Sequence, residues 1–220
     1  MTAPPEPQSR GRFITVEGIE GAGKSTHVWH LVADLSAHGI DVVATREPGG
    51  TLAAEAVRTL ILSDAVDAWL PMSEALLHYA ARRDHVDRLI APALAAGRWV
   101  VCDRFADSTM AYQGYGQQLG TETVARLHAL VLGELQPDLT LILDLDVDVG
   151  LDRVRRRSPL SDRYERMDPR FHRRVRAGFL EIAHNDPDRC HVIDAGAPPD
   201  AVKAAVRQAV RQRLRVELAE

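Results

Sequence analysis

The sequence predicts an α/β fold in which helices cover both faces of a five-stranded parallel sheet. Short apolar runs alternate with segments of helical spacing along nearly the whole chain of 220 residues. Such alternation requires crossover connections and therefore parallel strands. No internal repeat, low-complexity tract or linker marks a second domain. We therefore expect a single domain at residues 12–220, preceded by a disordered tail at residues 1–11.

The strands are predicted where branched and aliphatic residues form short runs. The first has the sequence FITVE and is expected to be buried. In chain order the predicted strands are Phe13–Glu17, Asp41–Thr45, Trp99–Asp103, Leu139–Leu145 and His191–Ile193. Ligands of parallel sheets bind at the carboxyl ends of the strands, so the residues that follow these runs are the candidates for function.

The helices are predicted between the strands, where apolar residues recur three or four positions apart. The first helix shows this spacing through Val28, Leu31, Val32 and Leu35. In chain order the predicted helices are Lys24–His38, Leu52–Leu62, Ser73–Ala96, Glu122–Leu135, Val147–Arg157, Pro169–Asn185 and Pro198–Leu218.

Composition disfavours several classes of protein. The net charge of −4 argues against broad binding to nucleic acid or to acidic membranes, which usually requires a basic surface. No apolar run approaches the roughly 20 residues that cross a bilayer, and residues 1–11 lack the apolar centre of a secretory signal. Cys102 and Cys190 lie in or beside predicted strands and are expected to be buried thiols. We expect a cytoplasmic protein with no nucleic-acid partner and no membrane partner.

The stretch between the first strand and the first helix, GIEGAGKST, fits the phosphate-loop pattern G-x-x-x-x-G-K-[ST]. Gly18, Gly21 and Gly23 allow backbone angles that turn successive N–H groups towards phosphate oxygens. Lys24 supplies positive charge for the β- and γ-phosphates, and the hydroxyl of Ser25 is a ligand for Mg²⁺. The order strand, loop and helix is the context that this motif requires. A glycine-rich turn without a ligand is the alternative.

Charged residues follow the second and third strands. Arg46 and Glu47 precede the turn PGG, which would project them over the sheet edge, although a plain βα turn is the alternative. Asp103 and Arg104 leave the third strand. There the carboxylate is suited to hold Mg²⁺ through water, and the guanidinium is suited to grip a phosphate. A salt bridge at the strand end is the simpler interpretation of that pair.

Three further groups of polar residues have both a functional and a structural interpretation. His78 and Arg82 share a helix face and would either line a pocket for a planar ring or belong to the core and to a charged run. Residues 107–114, DSTMAYQG, would form either a base- and sugar-binding set or a hydrophilic loop. Arginines around SPLS at residues 158–161 indicate a lid over a phosphate, although such runs are often solvated faces. These arginines are Arg153, Arg155, Arg156, Arg157 and Arg163.

Taken in order, these segments resemble the thymidylate kinases, which phosphorylate dTMP to dTDP with ATP and Mg²⁺. The resemblance runs from about Phe13 to the last helix. It rests on VEGIEGAGKST, TREPGGT, EALLHYAARR, VVCDRFADSTMAYQGYG, PDLTLILDLD and the arginine-rich segment. It implies the P-loop nucleoside-monophosphate kinase fold, a homodimer and a lid at about residues 153–166. The loop residues IEGA include no arginine, so the resemblance is to the bacterial form, in which the lid supplies the catalytic arginine.

The resemblance implies that the loop and one lid arginine bind ATP. These residues are Gly18, Glu20, Gly21, Ala22, Gly23, Lys24, Ser25, Thr26 and Arg153. The family directs the loop carboxylate, here Glu20, outward to accept a hydrogen bond from the sugar 3′-hydroxyl of the acceptor. The catalytic groups would be Lys24, Asp103, Arg104 and Arg157. Ser25 would bind the metal directly, and Asp103 would bind it through water.

The resemblance also implies which residues bind dTMP. They are Glu20, Arg46, Glu47, Arg58, His78, Arg82, Arg104, Thr109, Tyr112 and Gln113. Arg104 would bind the phosphate with Arg46, and Arg58 is a further candidate. The thymine edge would be read by Arg82, Thr109 and Gln113. Tyr112 would stand where a ribose 2′-hydroxyl would go, and Glu47 would support the water network of the metal.

One residue departs from the family pattern. His78 stands where a phenylalanine usually stacks on thymine. A neutral imidazole can stack, but it buries less apolar area and titrates near neutrality. The expectation is therefore weaker dTMP binding, or binding that depends on pH below about 6.5.

Two other functions stay open on the sequence alone. Another nucleoside-monophosphate or deoxynucleoside kinase would share the fold, although Glu20 and TREPGGT favour thymidylate. A nucleotide-driven switch or ATPase would share the loop. The sequence lacks the N-K-x-D motif expected of a GTPase switch, and it shows no recognisable partner-facing element.

Overall fold

Five mostly apolar segments pair side by side to form the sheet. The computed structural model describes residues 10–62, 69–157 and 163–218. Its strands are β1 (Phe13–Glu17), β2 (Val42–Arg46), β3 (Trp99–Asp103), β4 (Leu139–Asp144) and β5 (Cys190–Asp194). All neighbours pair in parallel, in the order β2-β3-β1-β4-β5. The predicted parallel sheet is confirmed, and every strand end lies within one residue of its predicted position.

Helices fill the connections between the strands. Within the described residues they are α1 (Lys24–Ala37), α2 (Leu52–Ile61), α3 (Pro71–His85), α4 (Ala91–Ala95), α5 (Ala106–Thr109), α6 (Thr121–Leu132), α7 (Val147–Arg157), α8 (Pro169–Asn185) and α9 (Pro199–Leu214). Two π-helical segments, Val86–Ile90 and Met110–Gly116, follow α3 and α5. None of the described helices has the length and apolar content needed to cross a membrane.

Some predicted helix ends differ from the observed ones for local reasons. The third helix begins two residues early because Pro71 occupies its first turn, where proline is favoured. The predicted helix Ser73–Ala96 is interrupted by the π-helical segment. The last helix ends at Leu214 rather than Leu218, since Arg215 adopts a left-handed conformation with φ of 52°. The hydrophilic-loop interpretation of residues 107–114 is wrong, because this stretch is helical and mostly buried.

Apolar clusters lie on both sides of the sheet because alternate strand residues point in opposite directions. Phe13 and Val100 belong to a smaller cluster under α3, α4 and α6. Their strand neighbours Ile14 and Val101 belong to a larger cluster that includes α1, α8 and α9. Cys102 and Cys190 are both buried free thiols, as predicted.

The carboxyl ends of β1, β2 and β3 meet at one edge of the sheet. Val16 near the end of β1 is in register with Asp103, and so is Arg46 at the end of β2. The chain therefore brings the phosphate loop, the TREPGGT turn and the residues after β3 to one place.

Candidate active site

The phosphate loop contains two positions that only glycine can occupy. Gly18 has φ of 137° and Gly21 has φ of 76°. A Cβ atom on Gly18 would lie 2.5 Å from the carbonyl oxygen of Leu143, and one on Gly21 would lie 2.2 Å from that of Gly150. The loop thus lies directly against other backbone and leads into α1, which begins at Lys24. An anion is suited to this helix N-terminus, whose first N–H groups have no partner in the helix.

Lys24 and Ser25 border a depression above the loop. The Lys24 ammonium donates to the carbonyl oxygen of Ile19 at 2.8 Å. Burial and then the charge of Arg104 lower the pKa of Lys24 to about 8, against the opposing effect of nearby carboxylates. The Ser25 hydroxyl donates to Asp103 Oδ2 at 2.5 Å. A hydroxyl and a carboxylate oxygen placed together are the hard donors that Mg²⁺ prefers, so this pair fits that ion.

Two arginines of α7 border the same depression, Arg153 and Arg157. Arg153 Nη1 donates to the carbonyl oxygen of Ala195 at 3.2 Å. Arg157 Nη2 donates to Glu165 Oε1 at 3.1 Å, and the Arg157 side chain is 71% exposed. The Glu165 side chain is only 7% exposed, so a turn of the Arg157 guanidinium towards a ligand would break its contact with a largely buried carboxylate. Residues 158–162 of the predicted lid lie outside the described residues.

Arg104 is held in a cleft on another side of the loop by its backbone and four acceptors. Its φ of 71° lies in the left-handed region, which is uncommon for residues other than glycine. Nη1 donates to the carbonyl oxygen of Gly18 and to Ser108 Oγ, both at 3.1 Å. Nη2 donates to the Tyr112 hydroxyl at 3.0 Å and to Glu20 Oε1 at 3.2 Å. A strained backbone that is fixed by so many contacts is typical of a binding site.

The Glu20 side chain borders this cleft and not the depression above the loop. Its Oε1 accepts from the Tyr112 hydroxyl at 2.5 Å. Its Oε2 lies 3.3 Å from His172 Nδ1 but makes no hydrogen bond of good geometry. Burial alone would raise the pKa of Glu20, but His172, Arg104 and Lys24 outweigh burial and hold the pKa well below its usual range. Glu20 is therefore an anion, and its buried Oε2 makes no hydrogen bond of good geometry to a described residue.

Arg82 and Glu47 form a buried ion pair at the wall of the cleft. Arg82 Nε donates to Glu47 Oε2 at 2.6 Å, and His85 Nδ1 lies 3.0 Å from Glu47 Oε1. Arg82 Nη2 donates to the carbonyl oxygen of Phe105 and to Thr109 Oγ1, both at 3.0 Å. The remaining nitrogen, Nη1, is buried and has no partner among the described residues. A buried donor of this kind requires an explanation, and a ligand acceptor in the cleft supplies one.

His78 borders the cleft beside Tyr164. Its Nε2 lies 2.9 Å from the Tyr164 hydroxyl. Burial, followed by the charges of Arg82 and Arg163, lowers the pKa of His78 to about 3. The prediction that His78 titrates near neutrality is therefore wrong. A protonated imidazole would be a buried charge beside two guanidinium groups.

The cleft encloses about 510 Å³ of space, part of it open to solvent. It is bordered by most of the residues expected to bind the acceptor. These are Glu20, Glu47, Arg58, His78, Arg82, Arg104, Thr109, Tyr112 and Gln113. Arg46 does not border it, since Arg46 Nη2 pairs with Glu55 Oε2 at 2.9 Å. Arg58 Nη1 donates to the carbonyl oxygen of Pro48 at 2.9 Å.

Comparison with known proteins decides what kind of site this is. A family model described as thymidylate kinase matches residues 16–206. The chain belongs to the thymidylate kinase family.

Individual thymidylate kinases match over nearly their whole length. That of Caulobacter vibrioides is 54% identical over 206 residues, which cover 94% of this chain and 99% of that protein. That of Cereibacter sphaeroides is 52% identical over 200 residues, which cover 89% and 92%. The crystal structure of thymidylate kinase from Ehrlichia chaffeensis matches with a TM-score of 0.73 and 38% identity, covering 91% of this chain and 99% of that one. The predicted P-loop nucleoside-monophosphate kinase fold is confirmed.

As a member of the thymidylate kinase family, the chain phosphorylates dTMP to dTDP with ATP as cosubstrate and Mg²⁺ as cofactor. The predicted enzyme class and activity are therefore confirmed. The alternatives of another nucleotide kinase and of a nucleotide-driven switch or ATPase are set aside.

The structure also adds residues to this thymidylate kinase site that the sequence interpretation missed. Ser108 belongs to the predicted set DSTMAYQG but had no role of its own there, and it accepts from Arg104 Nη1 at 3.1 Å. Tyr164, which borders the cleft, and His172, which lies 3.3 Å from Glu20, have no local signal, because they are distant in sequence from the residues they contact. Glu47 is placed differently from expectation: it is buried against Arg82 and His85 rather than directed to the metal site.

Proposed function

We propose that dTMP binds in the cleft with its phosphate at Arg104, while ATP binds in the depression above the loop. One observation carries this assignment: the loop has a different set of side chains on each side. Glu20 and Arg104 border the cleft, whereas Lys24, Arg153 and Arg157 border the depression. Donor and acceptor phosphates would therefore approach each other across the loop.

Two buried groups without a partner, on residues that border the cleft, match the edge of thymine. Arg82 Nη1 is a buried donor without a partner, and Gln113 Oε1 is a buried acceptor without one, within the described part of the chain. Thymine offers an acceptor at O4 and a donor at N3, so it satisfies both groups. Cytosine presents the reverse pattern, an exocyclic amine and an N3 lone pair, and would leave both unsatisfied. Thr109 accepts from Arg82 and fixes its orientation.

Two side chains are suited to read the sugar. Glu20 Oε2 makes no hydrogen bond of good geometry to a described residue, and in this proposal it accepts from the 3′-hydroxyl. Tyr112 is held by Glu20 and Arg104 and would occupy the space of a ribose 2′-hydroxyl. The site would therefore prefer deoxyribose, because a 2′-hydroxyl would meet a fixed ring rather than solvent.

For phosphoryl transfer the protein has to position the two nucleotides and supply positive charge, and it needs no covalent intermediate. Mg²⁺, when bound by Ser25 and through water by Asp103, neutralises phosphate charge. Lys24 and Arg104 place positive charge on the two sides of the loop. Arg157 would leave Glu165 and add a third charge, worth roughly 10³–10⁵ in rate by comparison with other arginine fingers. The Arg153 guanidinium, anchored on Ala195, would lie beside the adenosine.

A parallel assay of acceptors tests this assignment. ADP release would be measured with ATP, Mg²⁺ and one of dTMP, dUMP, the ribose form of TMP, dCMP, dGMP or AMP. The proposal predicts dTMP as the best substrate, dUMP as a weaker one, and slow turnover of the rest. A flat profile would contradict the roles of Arg82 and Gln113, and equal ADP release without any acceptor would contradict the acceptor site itself.

We also propose that residues 12–220 form one domain that assembles as a cytoplasmic homodimer. Large exposed apolar side chains concentrate on and beside α2 and α3, a surface that a second copy would cover. They are Leu52, Leu60, Leu70, Met72 and Leu76. In sedimentation velocity, Leu76→Glu should yield monomers, whereas Leu130→Glu, at an exposed leucine of α6, should not. Dimers of Leu76→Glu would refute this interface.

A further inference from the structure

Glu74 is a fully buried carboxylate that does not border the cleft and has no part in the roles above. Two neighbouring segments direct donors to it, the π-helical segment with its C-cap Gln117 and the turn that contains Arg163 and Tyr164. Tyr164 donates its hydroxyl to Oε1 at 2.5 Å, and Gln113 donates Nε2 to the same oxygen at 2.6 Å. Arg163 donates Nη2 to Oε2, and Gln117 Nε2 lies 3.1 Å from both oxygens. Both oxygens of this carboxylate accept hydrogen bonds, so each neighbouring side chain must present a donor to it.

The first consequence concerns the side-chain amide of Gln113. Glu74 is paired with a buried guanidinium and is thus a carboxylate, which accepts hydrogen bonds but cannot donate them. Gln113 must therefore turn its NH₂ group towards Glu74. This orientation leaves Oε1 as the group without a partner, at a residue that borders the cleft.

The second consequence concerns the tautomer of His78. The pKa of Tyr164 is raised well above its usual range by burial and then by Glu74, so the phenol keeps its proton and gives it to Glu74. The Tyr164 oxygen can then only accept from His78 Nε2, which lies 2.9 Å away. His78 must therefore carry a proton on Nε2. Because the imidazole is neutral, its Nδ1 carries a lone pair and can only accept a hydrogen bond. That atom makes no hydrogen bond to any residue that the structure describes, and it is not fully enclosed.

We infer that Glu74 is a positioning residue that sets the hydrogen-bond polarity of the base site, acting directly on Gln113 and through Tyr164 on His78. Both groups are thereby fixed as acceptors, beside the unpartnered donor of Arg82. A base that presents a ring N–H is favoured, and a base that presents a lone pair there is rejected. This inference rests on the proposed binding of the base in the cleft, and it names the residue that makes that binding selective.

The tautomer of His78 is the most direct test and needs no variant. In ¹⁵N–¹H correlation spectra of the histidine side chains, assigned by loss of signals in His78→Phe, the wild-type protein should show a protonated Nε2 and an unprotonated Nδ1. A protonated Nδ1, or a doubly protonated ring, at neutral pH would overturn the inference. In Tyr164→Phe the Nε2 partner is lost, and the spectrum should shift to a mixture of tautomers.

Base selectivity tests the effect on Gln113. In Glu74→Gln the new amide can donate or accept, so Gln113 is free to turn its NH₂ group into the cleft. The ratio of kcat/KM for dTMP to that for dCMP should fall by about tenfold or more, since one satisfied polar contact becomes a mismatch. Asp84→Asn removes another hydrogen-bonded carboxylate of α3, outside the cleft, and should leave the ratio unchanged.

The outcomes separate this inference from the proposed function. Absence of dTMP selectivity in the wild-type protein would refute base reading itself. A folded Glu74→Gln protein with wild-type selectivity would refute the role of Glu74 and leave base reading intact. Should Glu74→Gln not fold, the tautomer measurement on the wild-type protein and on Tyr164→Phe still decides the question.

Discussion

Replacement of Glu20 by alanine should weaken the acceptor site and leave the donor site almost unchanged. The carboxylate serves the acceptor twice in our proposal, by holding Arg104 at 3.2 Å and by accepting from the 3′-hydroxyl. A hydrogen bond to a charged group contributes about 1.5–3 kcal/mol, so the hydroxyl contact alone corresponds to roughly 10–150-fold in kcat/KM for dTMP. Glu20 does not border the depression above the loop, so KM for ATP should change little.

A comparison with 3′-deoxy-dTMP separates the two contributions. The wild-type enzyme should lose roughly 10–150-fold on this analogue, because the hydroxyl is missing. Glu20→Ala should use dTMP and 3′-deoxy-dTMP almost equally, since its partner for the hydroxyl is gone. If the variant discriminates between the two acceptors as strongly as the wild-type enzyme does, Glu20 does not bind the sugar. Its effect would then act entirely through Arg104.

Three further predictions follow from the same contacts. Arg157→Ala should lower kcat by roughly 10³-fold or more with dTMP affinity nearly intact, whereas Arg156→Ala, which removes a surface pair with Asp152, should turn over like the wild-type enzyme in the same assay. Glu47→Gln leaves the buried charge of Arg82 uncompensated and should cost about 3–5 kcal/mol, or roughly 6–20 °C in the midpoint of thermal unfolding; an unchanged midpoint would contradict the pairing. The pKa of His78 is about 3 in the folded protein and about 6.5 in the unfolded chain, so folding keeps this ring neutral. The contribution of His78 to the free energy of unfolding should therefore fall as pH drops below about 6.5. The ratio of KM for dTMP in the wild-type enzyme to that in His78→Phe should stay constant between about pH 5.5 and 8. A ratio that rises below about pH 6.5 would restore the titration expected from sequence.

The sheet could be predicted from the sequence because its strands are short apolar runs with clear limits. The helix after α5 could not, because DSTMAYQG is polar in composition yet buried, and its partners come from other parts of the chain. The π-helical segments also escape prediction from periodicity. Tyr112 and Gln113 are adjacent residues of such a segment, and both border the cleft.

The site was predictable where function depends on sequence neighbours and unpredictable where it depends on distant ones. The loop and the residues after β3 form continuous motifs, so Lys24, Ser25 and Arg104 could be named in advance. The contact between His78 and Tyr164 spans 86 residues, and nothing in either local sequence indicates it. The low pKa of His78 has the same origin in part, since its burial and the nearby charge of Arg163 depend on tertiary packing, whereas Arg82 lies on the same helix.

The backbone contact between Gly21 and Gly150 has a mechanical consequence for the lid. A Cβ atom on Gly150 would lie 2.5 Å from the carbonyl oxygen of Glu20, so the first turn of α7 rests on the phosphate loop without any intervening side chain. The close contact between the two backbones fixes the position of that turn relative to the loop. In our proposal Arg157 moves towards the bound phosphates, and such a movement would have to bend α7 between Gly150 and Arg157. A larger residue at Gly21 or Gly150 would clash with the opposite backbone and displace both the phosphate loop and the first turn of α7.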